Sequence, residues 1–271
     1  MPKFLPQDAR LRAHIDYYWI VDESERFAHL CDPVHEFPSL APELVLGIRG
    51  VLRYRYRGRM RATGESILFG YIEDGLTVYP AELEQMVVVK FKPRGLSSVV
   101  PFLPVCASEL MREAVVPARD VFGDALGEIE RHLATLRAPR IADELDGWLL
   151  GRLGEHRTGV VRDVFVAVTP TTSVRDLAAL TQSSYSTLAR HFKADTGLTP
   201  KQFLLRHRFK HVLADLFRTG STDWFDYVAR YGYHDQSHFI REIKRYTGYT
   251  PSRLLALPYL THYRPEQSGD G

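Results

Sequence analysis

The stretch 176–200, DLAALTQSSYSTLARHFKADTGLTP, recurs without a gap at 227–251 as YVARYGYHDQSHFIREIKRYTGYTP, a shift of 51 residues. Identical residues fall at positions Ala178/Ala229, Arg190/Arg241, Lys193/Lys244, Thr196/Thr247, Gly197/Gly248, Thr199/Thr250 and Pro200/Pro251. The hydrophobic frame also matches, at Leu177/Val228, Leu188/Phe239 and Phe192/Ile243. The two segments match over 25 positions without an insertion or deletion, which indicates an internal duplication. We therefore expect the two segments to have the same local structure.

Each copy has the pattern of a helix, a tight turn and a second helix. In the first copy Ser173 and Asp176 have the spacing of a capping box, which predicts a helix over 174–181. Ser184 then begins a second helix, with Leu188 and Phe192 on its inner side. Asp235 and Thr250-Pro251 predict the equivalent helix starts near the second copy. Helix ends are predicted at three glycines, Gly197, Gly220 and Gly248.

The second helix of each copy exposes polar and basic side chains. This outer face carries Tyr185, Ser186, Ala189, Arg190 and Lys193 in the first copy, and Gln236, Ser237, Ile240, Arg241 and Lys244 in the second. An α-helix fits the major groove of DNA, where arginine can bond guanine bidentately, glutamine can bond adenine and apolar groups can contact the thymine methyl. The pattern therefore predicts two DNA-reading helices.

A third helix should connect the two copies. Thr199, Pro200 and Gln202 predict its start, and the pattern runs to about Arg218. Apolar residues at helical spacing allow it to pack against both units: Leu205, Phe209, Val212, Leu213 and Leu216. Such a helix would be roughly 28 Å long. Since adjacent major-groove windows on one DNA face lie roughly 34 Å apart, one chain could read two of them.

These residues resemble the DNA-binding domain of the AraC/XylS family of bacterial transcription regulators, over about residues 160–255. The segments that carry the resemblance are Asp176-Leu177-Ala178, Ser184-x-x-x-Leu188-x-Arg190-x-Phe192-Lys193, Gly197-x-Thr199-Pro200, Gly232-Tyr233-x-Asp235-Gln236-Ser237-His238-Phe239-x-Arg241 and Gly248-Tyr249-Thr250-Pro251. The resemblance implies base contacts by Ser186, Ala189 and Arg190 in the first unit, and by Gln236, Ser237, Ile240 and Arg241 in the second. Ile240 and Ile243 depart from the residues usual in the family. His238 either touches DNA or braces the turn beside Asp235, and the second role is favoured.

The first half of the chain has a different character. Up to about Pro93, short β-branched and aromatic segments predict strands at 15–21, 43–48, 52–56, 66–72, 76–79 and 86–91. Helices are predicted at 95–102, 124–136 and 142–153, with a break at Ala138-Pro139-Arg140. The runs 89–95, 107–110 and 120–123 resemble, more loosely, the N-terminal domain often fused to this family. That resemblance implies a cupin-like β barrel or double sheet with a sensing or oligomerising role.

The fold class expected is therefore α+β, in two domains. Residues 1–157 form the N-terminal domain (β-rich to 93, helical over 94–157), residues 158–260 form the DNA-binding domain, and 261–271 are expected to be a flexible tail. Charge divides in the same way: 159–271 carry a net +5, and 1–158 a net −3. Two distant cysteines, Cys31 and Cys106, and the lack of a leader or apolar span favour a reducing cytosol. The resemblance implies that this is a bacterial cytoplasm, in association with the nucleoid.

Two features of the N-terminal half admit more than one interpretation. Alternate arginines over 53–61 suggest either a surface for an anionic ligand or a charged edge hairpin that discourages sheet pairing, and the second is favoured. His29, Cys31, Asp32 and His35 are metal ligands by type, but their spacing fits no metal pattern, so no metal or other cofactor is predicted.

The function predicted is a sequence-specific transcription regulator, with double-stranded DNA as its partner. The sequence has no nucleophile elbow, phosphate loop or HExxH motif, so no enzyme activity is predicted. A small-molecule-binding protein or enzyme with an accessory DNA-binding domain stays open as the alternative. The resemblance also implies a homodimer formed through the 94–157 helices, an effector of unknown identity and, for an activator, contact with RNA polymerase. Activation, repression and the operator cannot be deduced from the sequence.

Overall fold

The computed structural model describes residues 3–21, 33–70, 72, 75–93, 95–100, 115–154, 164 and 167–257. It confirms the α+β organisation: two antiparallel sheets are followed by helices, and then by an all-helical C-terminal part. The predicted domain boundary at 157/158, the tail from 261 onward and three of the weighed metal ligands (His29, Cys31 and Asp32) lie outside the described residues.

The strands of the N-terminal part form a double sheet. They are β1 (Lys3–Phe4), β2 (Ile15–Val21), β3 (Val34–Glu36), β4 (Glu43–Gly50), β5 (Leu52–Tyr56), β6 (Arg59–Thr63), β7 (Ile67–Phe69), β8 (Leu76–Tyr79), β9 (Leu83–Phe91) and β10 (Val115–Pro117). The first sheet has the order β1-β2-β9-β4-β7-β10, and the second has the order β3-β8-β5-β6.

The helices follow in two groups. With the sheets lie α1 (Ala9–Arg12), α2 (Gly95–Val99), α3 (Arg119–Phe122), α4 (Ala125–Leu133) and α5 (Ala138–Leu150). The C-terminal part contains α6 (Val174–Leu180), α7 (Tyr185–Thr196), α8 (Pro200–Thr219), α9 (Trp224–Tyr231), α10 (Gln236–Thr247) and α11 (Pro251–Leu255).

The first sheet is buried on both faces, because alternate residues of its central strands enter different cores. Leu44 and Val87 belong to a core shared with the helices α4 and α5. Their neighbours Val45 and Val88 belong to the core between the two sheets. Alternation of side chains along a strand produces this division, and it explains the continuous apolar run of residues 86–89 within β9.

Several sequence predictions need correction. Arg59–Thr63, predicted only as part of a charged hairpin, is a full strand at the edge of the second sheet, and β1, β3, β10 and α3 were not predicted. The strand predicted at 66–72 covers only β7. Pro139 does not break a helix: it lies in the first turn of α5, where a missing backbone N–H costs nothing, and the break falls just before it.

The arginines of residues 53–61 lie on a β-hairpin at the sheet edge. Arg53 forms an ion pair with Glu82 at 2.7 Å, and the guanidinium of Arg55 lies over the Tyr79 ring. Strand β6 is exposed along nearly its whole length. A charged, exposed edge of this kind is the device by which proteins prevent pairing with another sheet.

The N-terminal double sheet packs directly against the C-terminal helices. Phe37 and Leu40, which follow β3, are buried among residues of the C-terminal part. Nearby, the His35 ring meets the Tyr249 ring edge-on, with centroids 5.8 Å apart. The two parts therefore share an apolar interface next to the helices that were predicted to read DNA.

Two glycines test the local packing of the N-terminal part. A methyl group at Gly95 would overlap the carbonyl oxygen of His14, whereas one at Gly127, within α4, would meet open space. We expect Gly95→Ala to lower the free energy of unfolding by about 1–3 kcal/mol, because backbone must move. Gly127→Ala should raise it by about 0.5–1 kcal/mol, since alanine is the better helix former. Urea denaturation measures both changes in the free energy of unfolding. If the two changes had the same sign, the packing described for these glycines would be contradicted.

Candidate nucleic-acid interface

The first helix-turn-helix unit comprises α6 and α7. The predicted capping box begins α6: Asp176 N–H donates to Ser173 Oγ, and Ser173 N–H donates to the Asp176 carboxylate. This hydrogen bonding also lowers the pKa of the Asp176 carboxyl. Ser184 caps α7 by accepting from the Thr187 N–H, and Gly197 ends it in the left-handed region at φ 71°. These ends confirm the boundaries predicted from the sequence.

The second unit, α9 and α10, has the same plan. Asp235 caps α10 by accepting from the His238 N–H at 2.7 Å, which lowers the pKa of its carboxyl. Gly248 ends the helix at φ 79°. The inner side chains Phe239 and Ile243 have no solvent exposure, like their first-unit counterparts Leu188 and Phe192. The internal duplication is therefore also a duplication of structure.

The turns inside the two units have equal length, 181–184 and 232–235, but place their left-handed residue differently. In the first, Gln182 takes the left-handed conformation at φ 48°, and Ser183 N–H donates to Ala178 O. In the second, Gly232 does so at φ 67°, and Tyr233 N–H donates to Val228 O. Gly232 is one position earlier than the residue equivalent to Gln182. The two turns therefore follow different backbone paths between helices that end and start in the same register.

The residues predicted to contact DNA lie on the two recognition helices, α7 and α10. The exposed ones are Ser186, Arg190, Lys193, Ser237, Arg241 and Lys244, and the half-buried ones are Ala189, Gln236, His238 and Ile240. Lys193 Nζ donates to Gly197 O at 2.9 Å, so this ammonium group also closes the end of its own helix. In the described part of the chain, no carboxylate lies within ion-pair distance of either Arg190 or Arg241.

Two of these residues also have structural contacts. The His238 ring lies edge-on to Tyr233 at 5.3 Å, and its Nδ1 accepts from the His234 N–H at 3.4 Å. These contacts fit the favoured interpretation of His238 as a brace for the turn. Ile240 packs partly against the core of the second unit, so only part of its side chain faces outward.

A buried polar network joins α10 to the connecting helix α8, and sequence reasoning missed it. Arg208 of α8 forms two hydrogen bonds with the Glu242 carboxylate, at 3.2 and 2.6 Å. Tyr233 donates its hydroxyl hydrogen to the same carboxylate at 2.7 Å, and the Arg208 guanidinium lies over its ring at 4.2 Å. Burial beside this carboxylate raises the pKa of Tyr233. The signal in the sequence is the carboxylate of Glu242 among the apolar inner residues of α10.

A second polar group ties α9 to the end of α8. Asp215 accepts a hydrogen bond from Arg218 of its own helix and forms an ion pair with Arg230 of α9, with 2.7 Å between Arg230 Nη1 and Asp215 Oδ2. These cations lower the pKa of Asp215 against the effect of its burial. Arg230 also pairs with Asp226 at 2.6 Å. Both helices of the second unit are therefore fastened to α8 by charge.

The first unit meets α8 through apolar and aromatic contacts. Phe192 of α7 packs on Phe203 of α8, with ring centroids 5.4 Å apart. Phe203 in turn contacts His207, whose ring lies 4.5 Å from that of His211. Burial and the neighbouring charges lower the pKa of His207 to about 4, so this ring is neutral at pH 7. Among the side chains that the structure describes, which exclude those of residues 194 and 195, no ion pair joins α6 or α7 to α8.

The described residues contain no group of three or more His, Cys, Asp or Glu side chains placed to hold a metal ion. Within the same ranges, no helix is both long and apolar enough to cross a bilayer.

Comparison with known proteins identifies the C-terminal part. The family model of a helix-turn-helix domain matches residues 177–256. An AraC-like transcription regulator of Streptomyces antibioticus is 29% identical over 120 residues, or 44% of this chain. The matched region spans 39% of the length of that relative. The sequence resemblance to AraC-type regulators is therefore confirmed for the C-terminal region.

Two solved structures align with this chain at low sequence identity. ToxT of Vibrio cholerae aligns over 88% of this chain and 96% of its own, with 12% identity and a TM-score of 0.46. The AraC-like transcriptional activator CuxR aligns over 72% of this chain and 73% of its own, with 14% identity and a TM-score of 0.25.

The Arg208–Glu242 pair gives a test of the second unit. Arg208→Met should lower the free energy of unfolding by about 3–5 kcal/mol, because it leaves the buried Glu242 carboxylate without its cation. The double variant Arg208→Met/Glu242→Leu should recover much of that loss, since both charges are then absent. Chemical denaturation of the full chain measures each effect.

Arg245→Met is the matched control, because Arg245 is an exposed arginine on the same helix as Glu242. It should change the free energy of unfolding by less than about 0.5 kcal/mol. A double variant as unstable as Arg208→Met alone would show that the uncompensated charge is not the cause.

Proposed function

We propose that this chain is a sequence-specific transcription regulator that inserts α7 and α10 into two adjacent major-groove windows of double-stranded DNA. The observation that carries the proposal is the pair of helix-turn-helix units on one connecting helix, each with an exposed arginine at the same position of its recognition helix. An enzyme activity has no comparable support, because the resemblance and the relative both point to regulators.

The length of α8 supports reading by both units at once. Its 20 residues, Pro200–Thr219, correspond to about 30 Å of helix. This length is close to the roughly 34 Å between successive major-groove windows on one side of DNA. A single chain could then contact two windows without bending the DNA strongly.

Individual side chains are assigned roles by their chemistry. Arg190 and Arg241 would each bond a guanine edge bidentately, and Gln236 would bond adenine. Ser186 and Ser237 would bond bases or phosphates, while Ala189 and Ile240 would contact thymine methyl groups. Lys193 and Lys244 would bind phosphates, and His238 would mainly hold the turn. The second unit carries the larger set of base-reading groups.

The remaining assignments concern the chain as a whole. Residues 1–157 would be a cupin-like domain for sensing a small molecule and for homodimer formation through the helices of 94–157, and 158–260 would be the DNA-binding domain. Residues 261–271 would be a flexible tail. The protein would act in the bacterial cytoplasm at the nucleoid and, if it activates, would contact RNA polymerase.

DNA binding by arginine can be tested with single substitutions. On a duplex selected from a random library by the unmodified full chain, Arg190→Ala and Arg241→Ala should each weaken binding by about 1–3 kcal/mol and relax the base preference at one position. Arg131→Ala, a change at an exposed arginine of α4, is the control and should bind as the unmodified chain does. Electrophoretic mobility shift at fixed salt measures the affinities. Sequence-independent binding, unchanged in both variants, would reject the proposed function.

The homodimer is tested separately. We expect sedimentation equilibrium of the full chain at micromolar concentration to give twice the 31.0 kDa chain mass. A monomer throughout that range would remove the dimer from the proposal without affecting the DNA-reading role.

A further inference from the structure

A short segment of the N-terminal part supplies one residue to each of the two helix-turn-helix cores. The cores are separate clusters, one around Phe192 and Phe203 and the other around Phe209 and Phe239. Among the described residues, only α8 and the segment 37–40 contribute to both. We name the segment 37–40 the clamp.

Phe37 is the clamp residue of the second unit. Its side chain is 3% exposed and belongs to the cluster that contains Phe209, Ile243 and Tyr246. Those neighbours come from α8 and from the recognition helix α10. The ring of Phe37 thus packs in the core that joins these two helices.

Leu40 is the clamp residue of the first unit. It is 8% exposed and belongs to the cluster that contains Leu188, Phe192 and Phe203. These neighbours come from the recognition helix α7 and from α8. Leu40 therefore adds apolar contact where no ion pair between described residues fastens the unit to α8.

Arg206 fixes the clamp between its two ends. This arginine of α8 is only 4% exposed, and its Nη1 donates to Ser39 O at 3.2 Å. Ser39 Oγ in turn donates to Ala41 O at 2.7 Å, which holds the bend of the clamp. A hydrogen bond from a buried charged donor is worth more than a neutral one, so the clamp has a defined position along α8.

The clamp continues into the body of the N-terminal part. It follows β3, a strand of the second sheet, and His35 of that strand contacts Tyr249. Farther along α8, Lys210 Nζ lies 4.0 Å from the Asp16 carboxylate of β2. The clamp is therefore anchored to the double sheet, so it is not a loose loop lying on the helices.

We infer that Phe37, Leu40 and Arg206 are positioning residues that fix the angle and separation of the recognition helices α7 and α10, and so set the spacing of the DNA half-sites that the chain accepts. The inference rests on the proposed function. Without the clamp, the two units would be related through α8, which can bend and twist, and through the approach of Thr171, just before α6, to Gly232 in the turn of the second unit. With the clamp, each unit is also held from another side by one continuous segment.

The first test measures spacing preference on DNA. The unmodified chain should bind its selected duplex at least tenfold more weakly when one base pair is inserted between the half-sites, because the insertion moves one window by about 3.4 Å and roughly 35°. In Phe37→Ala and Leu40→Ala this penalty should fall below threefold, while sensitivity to substitutions within each half-site persists.

Matched controls separate the clamp from general loss of core. Phe69→Ala and Leu133→Ala remove the same side chains from cores of the N-terminal part that include neither recognition helix. Both should keep the tenfold penalty. Clamp variants that also keep it would overturn the inference.

The second test needs no DNA, so it separates failure of the inference from failure of the proposed function. Spin labels at Ser186→Cys and Ser237→Cys, with Cys31 and Cys106 replaced by serine, report the distance between α7 and α10 by pulsed electron paramagnetic resonance. The unmodified clamp should give one narrow distribution, and Phe37→Ala and Leu40→Ala a clearly broader one. The same narrow width in both clamp variants would refute the inference, whatever the DNA result.

Smaller truncations cover the case in which an alanine variant does not fold. Phe37→Leu and Leu40→Val keep most of the apolar volume and should fold, with a smaller broadening in the same direction. If these variants fold but leave both the width of the α7–α10 distance distribution and the spacing penalty unchanged, the inference is wrong. This result would weigh as much as the same result in the alanine variants.

Discussion

The buried pair of Arg208 and Glu242 is the interaction on which the C-terminal structure most depends. A carboxylate on the inner face of a recognition helix is costly to bury. The cost is offset because the Glu242 carboxylate accepts hydrogen bonds from both the Arg208 guanidinium on α8 and the Tyr233 hydroxyl. Apolar packing tolerates sliding and rotation, whereas a bidentate pair tolerates very little. The pair thus specifies the orientation of α10 as well as its attachment.

The two units reach the same shape by different physical means. Position 242 in the second copy corresponds to His191 in the first, so the first copy cannot form the same pair. Its recognition helix is held by contacts such as Phe192 on Phe203, and by Leu40 from outside the duplication. Phe37 adds a comparable N-terminal contact to the second unit, so the two units differ in their buried charge pairs and not in their contact with the N-terminal part.

The accuracy of prediction from the sequence follows the range of the interactions. The helix starts at Ser173, Ser184, Thr199 and Asp235 were predictable because a cap depends on residues three or four positions apart. Strand β6 was missed because it has no buried face: even Met60, which lies between two arginines, is 48% exposed. The burial of Arg206 against Ser39 could not be foreseen, since these residues lie 167 positions apart. The base contacts themselves stay predictions.

The different placement of the left-handed residue in the two turns bears on how a duplicated gene segment diverges. Gln182 has this conformation in the first turn and Gly232 in the second, yet Ser184 and Asp235 start their recognition helices in register. A crossover between these two positions would keep the length of the chain. One product would then join Thr181 to Tyr233 and contain neither Gln182 nor Gly232. A β-branched or bulky residue rarely takes a positive φ, so that product would have a strained turn. Such a cost disfavours exchange between the copies and lets each accumulate its own contacts.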